Sequence, residues 1–193
     1  MVRHGQSEWN AAGRWQGLAD VPLDRAGMLQ AAAAADVLGM FDAIWSSHLQ
    51  RATLTAQIVA ELTGTGPVQV DERLRENDVG PWEGLDREQV ETGWPGFLAA
   101  QRRPEGFESY DDASARMTAA LLDIASRHPG GEVFVVSHGG VIGALRRRLG
   151  APHERYPNLG GAWFVAHPGA GLRLGERVAL LDAAAPVPVS DTL

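Results

Sequence analysis

Two histidines, His4 and His138, are each followed directly by glycine, and each stands one residue after a short apolar run. A histidine at a strand end is held on a stiff scaffold, and the glycine lets backbone and ligand approach closely. An imidazole in that setting can attack phosphorus if one ring nitrogen is free and the other is held by a neighbour, commonly a backbone carbonyl. Gly5 is the nearest candidate for that carbonyl. One such histidine is a weak signal, but two together favour a nucleophilic site, and an attack on phosphorus is chemistry that such a site can perform.

Fixed hydrogen-bond donors must stabilise the charge on a phosphoryl group during its transfer. The candidate donors are Arg3, Asn10, Arg51 and His138. Arg51 lies where a strand turns into a helix, a place where unpaired amide groups attract anions. Taken alone, Arg51 would be interpreted as a solvated surface arginine and Asn10 as a turn residue that satisfies its own backbone.

Departure of an alkoxide needs a proton donor, which a carboxylic acid in a partly dry pocket can supply. Glu76 lies in an irregular stretch, residues 71 to 108, of the kind that often covers a site. Spacing alone does not choose between Glu76 and its acidic neighbours, which are Asp71, Glu72, Asp78 and Glu83. The residue pattern therefore leaves the identity of the acid open.

The elements that would position these residues alternate between strand and helix. Strands are predicted to end at His4, Ser46, Val70, Ser137 and His167, with a last one over 172–181. Helices are predicted over 24–40, 49–63, 111–128 and 139–149. The alternation predicts a mostly parallel α/β sheet, in which ligands bind beyond the carboxyl ends of the strands. The last two strands are predicted to form an antiparallel hairpin at a sheet edge.

This pattern predicts a single-domain three-layer α/β/α sandwich over residues 1–182, with one antiparallel edge strand. A cap-like insertion is expected at about 77–110 and a loose tail over 183–193. Trp45 and Trp163 lie in strands and are expected in the core, whereas Trp15 and Trp82 are candidates for the pocket wall. Arg146 to Arg148 are expected to face solvent at a helix C-terminus.

Composition excludes several kinds of protein. The chain has 193 residues, no cysteine and a formal net charge of −7. The charge disfavours a nucleic-acid surface, and no apolar run approaches the roughly 20 residues needed to cross a bilayer, so we expect a cytoplasmic protein without a membrane segment. His48, His128, His153 and His167 lack metal-ligand spacing, so neither a metal site nor another cofactor is expected. All 17 basic side chains are arginine, which binds phosphate bidentately.

Five ordered segments resemble the histidine phosphatase superfamily, the group that includes the cofactor-dependent phosphoglycerate mutases. The chain opens with Arg3-His4-Gly5-Gln6-Ser7-Glu8-Trp9-Asn10, followed by Gly13-Arg14-Trp15-Gln16-Gly17 with Pro22-Leu23. The later matches are residues 47 to 55, residues 74 to 84 and Val136-Ser137-His138-Gly139-Gly140. The strand before Arg3 is shorter than is usual in the family.

The resemblance implies a role for each matched position. His4 becomes the phosphorylated nucleophile, and Arg3, Arg51 and His138 form the phosphate pocket. Glu76 falls at the position of the proton donor, and Asn10 matches a further phosphate contact. Ser7, Gln16 and Gly17 would line the mouth through which a small phosphorylated substrate enters.

The resemblance also favours a phosphatase over a mutase. Mutases have arginine directly after the acid and tyrosine two positions further on, where this chain has Asn77 and Val79. Hydrolysis of the phosphohistidine by water is therefore favoured, with Glu76 switching from acid to base. The segment from Leu74 to Gly84 and the closing Val189-Ser190-Asp191 are similar to phosphatases of sugar-phosphoglycerate esters.

Two other functions stay open. One is a 2,3-bisphosphoglycerate-dependent phosphoglycerate mutase, and the other is an inactive module that binds phosphoesters or proteins. A homodimer is a further expectation, because relatives are often dimers or larger.

Overall fold

A computed structural model describes residues 1–152, 154–167 and 169–181. The six strands of its sheet are β1 (Val2–Arg3), β2 (Ala43–Ser46), β3 (Gln69–Val70), β4 (Val133–Ser137), β5 (Gly160–His167) and β6 (Gly171–Ala179). The helices are α1 (Glu8–Ala11), α2 (Arg25–Val37), α3 (Gln50–Thr63), α4 (Arg87–Gly93), α5 (Tyr110–Arg127) and α6 (Gly139–Arg148). The predicted tail over 183–193 and the position of His153 lie outside the described residues.

The sheet has the strand order β3-β2-β4-β1-β5-β6. Strands β3, β2, β4 and β1 are parallel, whereas β5 pairs antiparallel with both β1 and β6. The antiparallel hairpin that the sequence predicts at the sheet edge is thus β5 and β6. The predicted three-layer α/β fold with a mostly parallel sheet is confirmed.

Both faces of the sheet are covered, which explains the continuous apolar run in β4. Val135 packs on one face with apolar side chains of α5 and α6, including Met117 and Ile142. Phe134 and Val136 point to the opposite face, where alanines of α2 and α3 lie. Strands covered on both faces are apolar at every position, because successive side chains point to opposite sides.

The helix ends follow from local chemistry. The Asp24 side chain accepts the N–H of Gly27 and caps α2, as the sequence predicts. Helix α3 ends at Gly64 in the left-handed conformation (φ 69°), which glycine adopts without strain. Both helices therefore start and stop close to the predicted residues.

The stretch between β3 and α5 contains two short 3₁₀ turns, Glu72–Leu74 and Gly80–Trp82, and helix α4. It has an apolar cluster of its own, in which Trp82 and Val90 are fully buried against Trp94 and Phe107. This cluster gives the insertion internal rigidity, although its role as a cap stays a prediction.

The expectation for the strand tryptophans is half wrong. Trp45 is 3% exposed, but Trp163 is 39% exposed. The ladder between β5 and β6 is irregular from Ala162 to Phe164, and the neighbouring Phe164, not Trp163, packs against the core cluster on this face of the sheet. No helix of the described part of the chain is long and apolar enough to cross a membrane.

Candidate active site

Two imidazoles meet where the adjacent strands β1 and β4 end. Arg3 is in register with Ser137, and the backbone N–H of His4 donates to the Ser137 carbonyl at 3.0 Å. The next residues, His4 and His138, place their ring centroids 5.1 Å apart at an interplanar angle of 61°. Both rings are buried. Parallel pairing of two short strands therefore brings together residues separated by most of the chain.

The His4 ring is fixed by its own neighbour. Nδ1 of His4 lies 2.6 Å from the carbonyl oxygen of Gly5. A carbonyl can only accept, so Nδ1 carries the proton and the lone pair of the neutral ring lies on Nε2. Gly5 cannot be replaced easily, because a Cβ there would stand 2.5 Å from the Gly27 carbonyl oxygen. Thr55 accepts the Gly5 N–H at 3.0 Å and completes the support of this turn.

Burial and nearby cations keep both rings neutral. Desolvation, followed by the charges of Arg3 and Arg51, holds the pKa of His4 well below its ordinary value, against the raising effect of the Gly5 carbonyl. Desolvation lowers the pKa of His138 in the same way, with Arg51, His4 and Arg3 adding to it. A neutral imidazole has the free lone pair that a nucleophile needs.

Arg51 is completely buried beneath the site. Its Nη1 donates to the Ala19 carbonyl at 2.7 Å and its Nη2 to the Gly17 carbonyl at 2.9 Å. Desolvation lowers the pKa of Arg51 to about 10, so the guanidinium stays charged at neutral pH. Its Nε has no partner among the described residues, and neither ring nitrogen of His138 has one. Arg51 and His138 are fully buried and are not among the residues that line the cavity, so their unpaired nitrogens lie behind the lining residues Arg3 and His4.

Arg3 lies against the start of α6. Its Nη1 donates to the Tyr156 carbonyl at 3.0 Å, and a Cβ on Gly139 would stand 3.3 Å from its Cδ. Desolvation lowers the pKa of Arg3, while the charge of Glu76 raises it. Arg3 lines the cavity above the strand ends together with His4.

The carboxylate of Glu76 sits on the N-terminus of α6. Oε2 accepts the N–H of Gly140 at 3.0 Å, and Oε1 accepts those of Val141 at 3.1 Å and Asn77 at 2.9 Å. The first N–H groups of a helix have no partner within it, so a carboxylate is well held there. Glu76 therefore has a defined place beside His138, the residue that precedes α6.

The other four candidate carboxylates are hydrogen-bonded to groups away from the histidines or are exposed. Asp71 bonds Arg73, and Asp78 accepts the N–H of Gly80 at 2.8 Å. Glu83 accepts two backbone N–H groups of the loop before α2, and Glu72 is exposed. Of the five carboxylates that the sequence left open, Glu76 is the one that lines the cavity.

Asn10, Gln16 and Gly17 also line the cavity, whereas Ser7 does not. Ser7 is fully buried; it caps α1 and donates from Oγ to Oε1 of Gln16 at 2.7 Å. This hydrogen bond holds the Gln16 side chain, so Ser7 acts on the cavity wall only through Gln16. Oδ1 of Asn10 accepts from Nδ2 of Asn158 at 3.3 Å.

Gly17 has a positive φ of 54°, and a Cβ there would stand 2.6 Å from Cγ2 of Val79. Glycine is needed at this point because the loop before α2 and the insertion touch. The cavity between the strand ends and the insertion has a volume of about 440 Å³.

The upper wall of the cavity is strongly basic. Five arginines line it in addition to Arg3, namely Arg14, Arg87, Arg103, Arg147 and Arg155. Arg103 is held by two hydrogen bonds to the Tyr110 hydroxyl, at 3.1 and 2.8 Å, and Arg147 lies 4.7 Å from the same ring. The lining acid Glu154 pairs with Arg146 and Arg177 rather than with this wall. Arg147 was expected only to face solvent; its place in the cavity wall does not follow from spacing, because the residues that meet there come from separate elements.

Of the two tryptophans expected in the pocket wall, Trp15 and Trp82, one lines the cavity and the other does not. Trp15 lines the cavity, as expected, whereas Trp82 is fully buried in the insertion and packs 5.0 Å from Trp15 between ring centroids. Trp82 thus supports the wall without forming it.

An α/β sheet with two facing histidines, buried guanidinium groups and a carboxylate at its carboxyl edge defines a site suited to phosphoryl transfer. The family model of the histidine phosphatase superfamily (branch 1) matches residues 1–162. The chain belongs to this superfamily.

Similar proteins include several phosphatases. Glucosyl-3-phosphoglycerate phosphatase of Mycobacterium tuberculosis is 40% identical over 177 residues, which cover 83% of this chain and 79% of that protein. The metal-independent phosphoserine phosphatase of Arabidopsis thaliana is 38% identical over 159 residues, covering 77% of this chain and 67% of that protein. A solved structure of mycobacterial glucosyl-3-phosphoglycerate phosphatase with VO3 superimposes with a TM-score of 0.81 at 34% identity, covering 90% and 94% of the two chains. These findings confirm the predicted family and the predicted class of enzyme, a metal-independent phosphatase.

Proposed function

We propose that the protein hydrolyses a small phosphate monoester through a phosphohistidine on Nε2 of His4. The observation that carries this proposal is the 2.6 Å contact between Nδ1 of His4 and the Gly5 carbonyl, which leaves the Nε2 lone pair free. The lowered pKa of His4, caused first by desolvation, keeps that lone pair unprotonated at neutral pH.

In the first half of the reaction, Nε2 of His4 attacks phosphorus and the bond from phosphorus to the leaving oxygen breaks. Arg3, the free Nε of Arg51 and the unpaired His138 ring supply donors to the phosphoryl oxygens. Asn10 adds a neutral donor from the same cavity wall. Donors fixed before the reaction stabilise the transition state without reorganisation.

Glu76 transfers the protons. As the acid it gives a proton to the leaving oxygen, which departs as an alcohol. As the base it then takes a proton from water, whose oxygen bonds to phosphorus while the bond to His4 breaks, releasing phosphate. Its contact with the start of α6 keeps the carboxyl group beside the two histidines through both steps.

The basic wall supports a substrate with a second anionic group. Arg103 and Arg147 flank the Tyr110 ring and have no carboxylate partner among the described residues. A guanidinium in such a position binds a carboxylate strongly. The similarity to glucosyl-3-phosphoglycerate phosphatases adds support for a sugar-phosphoglycerate ester as the substrate. Gln16, Gly17 and, beneath them, Ser7 would shape the mouth.

The residues after Glu76 support hydrolysis over mutase chemistry. Asn77 and Val79 line the cavity where a mutase would need cationic and hydroxyl groups to hold a bisphosphorylated intermediate. The insertion at about 77–110 would act as a cap within a domain spanning 1–182, since it forms the opposite wall of the same cavity.

Phosphate release in the presence of EDTA tests this function. We expect turnover of glucosyl-3-phosphoglycerate and of p-nitrophenyl phosphate, with inhibition by vanadate. The informative comparison is between 3-phosphoglycerate and glycerol 3-phosphate, which differ in one carboxylate. Absence of phosphate release from all four esters would overturn the proposal.

A further inference from the structure

Asn77 has an amide that the mechanism above does not use. The residue is 2% exposed, and neither Nδ2 nor Oδ1 has a hydrogen-bond partner among the described residues. It nevertheless lines the cavity, directly after Glu76, and its backbone N–H donates to Oε1 of Glu76. The amide is therefore both unpaired and next to the proposed acid.

An unpaired amide in a protein interior is destabilising, because it loses its hydrogen bonds to water without replacement. A leucine of similar shape would avoid that loss. The side chain is consequently expected to find its partner among the contents of the cavity. Glu76 and Asn77 approach the same point: a Cβ on Gly140 would stand 2.5 Å from Oε1 of Glu76 and 3.1 Å from Oδ1 of Asn77.

We propose that Asn77 positions the water molecule that hydrolyses the phosphohistidine. The inference rests on the proposed function, since it concerns the second half of that reaction. Glu76 takes one proton of the attacking water, and Oδ1 of Asn77 accepts a hydrogen bond from the other O–H. The water oxygen bonds to phosphorus, the bond from phosphorus to Nε2 of His4 breaks, and the imidazole keeps the electron pair.

The leaving oxygen of the first step does not need this contact. An ester oxygen carries carbon where water carries its second hydrogen, so it has nothing to donate to Oδ1 of Asn77. The amide acceptor should therefore favour attack by water over the forward attack of His4 on the ester. Loss of the amide is expected to slow dephosphorylation selectively.

The variant Asn77→Leu tests the assignment, because it should raise the melting temperature and at the same time slow dephosphorylation. We expect the melting temperature to rise by about 2–4 °C, because an unpaired amide is removed from the interior. Rapid-quench experiments should show phosphorylation of His4 within about twofold of the wild type and decay of the phosphoenzyme slowed about tenfold, the effect of losing one hydrogen bond to the reacting water. A merely structural role would lower the melting temperature.

A third readout is the partition of the phosphoenzyme between water and added glycerol. Glycerol attacks through an oxygen that also carries carbon, so Asn77→Leu should raise the ratio of glycerol phosphate to inorganic phosphate. Val90→Ala is the control from the same insertion; Val90 is fully buried in its apolar cluster and does not line the cavity, so this variant should lower the melting temperature without changing the partition. Equal slowing of both steps, an unchanged partition or a lower melting temperature for Asn77→Leu would overturn the inference. Failure of the wild type to form a phosphohistidine would overturn the proposed function itself.

Discussion

Oε2 of Glu76 accepts the backbone N–H of Gly140 at 3.0 Å, which ties the proposed acid to the first turn of the helix that begins after His138. Together with the contact from the Val141 N–H, this bond holds the segment just before the insertion against the helix that follows His138. A change at Gly140 therefore reaches the proton donor without touching the nucleophile.

Gly140→Ala is expected to impair proton donation. The new Cβ would stand 2.5 Å from Oε1 of Glu76, closer than side chains tolerate, so the carboxylate must move. We expect kcat/KM to fall about tenfold or more for alkyl phosphates, equivalent to about 1.4 kcal/mol, and far less for p-nitrophenyl phosphate, whose leaving group needs no proton. Gly143→Ala on the same helix is the control, since its nearest neighbour would be 3.8 Å away, and equal losses in both variants would contradict this account.

Replacement of the acid itself is expected to depend on the leaving group. Glu76→Gln keeps the shape of the side chain but cannot donate a carboxylic proton, so phosphorylation should slow most for poor leaving groups. A series of aryl and alkyl phosphates under single-turnover conditions measures this. A uniform loss across the series would show that Glu76 acts on binding instead.

The basic wall predicts a charge-dependent specificity. Arg103→Gln and Arg147→Gln should each lower kcat/KM for 3-phosphoglycerate about tenfold, while the value for glycerol 3-phosphate changes less than about twofold. Arg148→Gln is the matched control, because Arg148 is exposed on the same helix and does not line the cavity. Parallel losses for both esters would remove the case for a second anionic group.

The two buried histidines predict how stability depends on pH. Their folded pKa values lie below the ordinary 6.5, chiefly through desolvation, so below pH 6.5 the unfolded chain binds more protons than the folded one. The free energy of unfolding should therefore fall as pH drops from about 6.5 toward the lowered pKa values, by up to about 1.4 kcal/mol per pH unit for each histidine. Urea unfolding at several pH values measures the slope. His138→Gln should reduce it, and a flat profile between about pH 5 and 6.5 would contradict the neutral assignment.

Much of the site follows from residues that are close in sequence. His4 and His138 could be predicted to meet, because each ends a strand and parallel strands end at one edge of the sheet. Asp24 and Gly64 could be used to predict a helix start and a helix end, because helix capping involves only neighbouring residues. The phosphatase expectation depended on Asn77 and Val79, which stand beside Glu76 in the chain.

Other features depend on contacts between distant segments and could not be predicted from spacing. Five carboxylates crowd the region of Glu76 in sequence, and only the packing of the insertion against α6 singles one out. The Arg103, Tyr110 and Arg147 contacts join the insertion to two helices, so Arg147, which was expected to face solvent, also contributes to a cavity wall. Ser7 was expected at the mouth but is buried, because its hydroxyl caps α1 and bonds Gln16.

The central claim is that His4 becomes covalently phosphorylated. Acid-quench labelling with a radioactive phosphate ester, followed by peptide mapping, tests it most directly. We predict acid-labile, base-stable label on His4 in the wild type, more label in Asn77→Leu, and no label or turnover in His4→Ala. Label on His138, absence of label in an active wild-type enzyme, or wild-type turnover by His4→Ala would contradict the account.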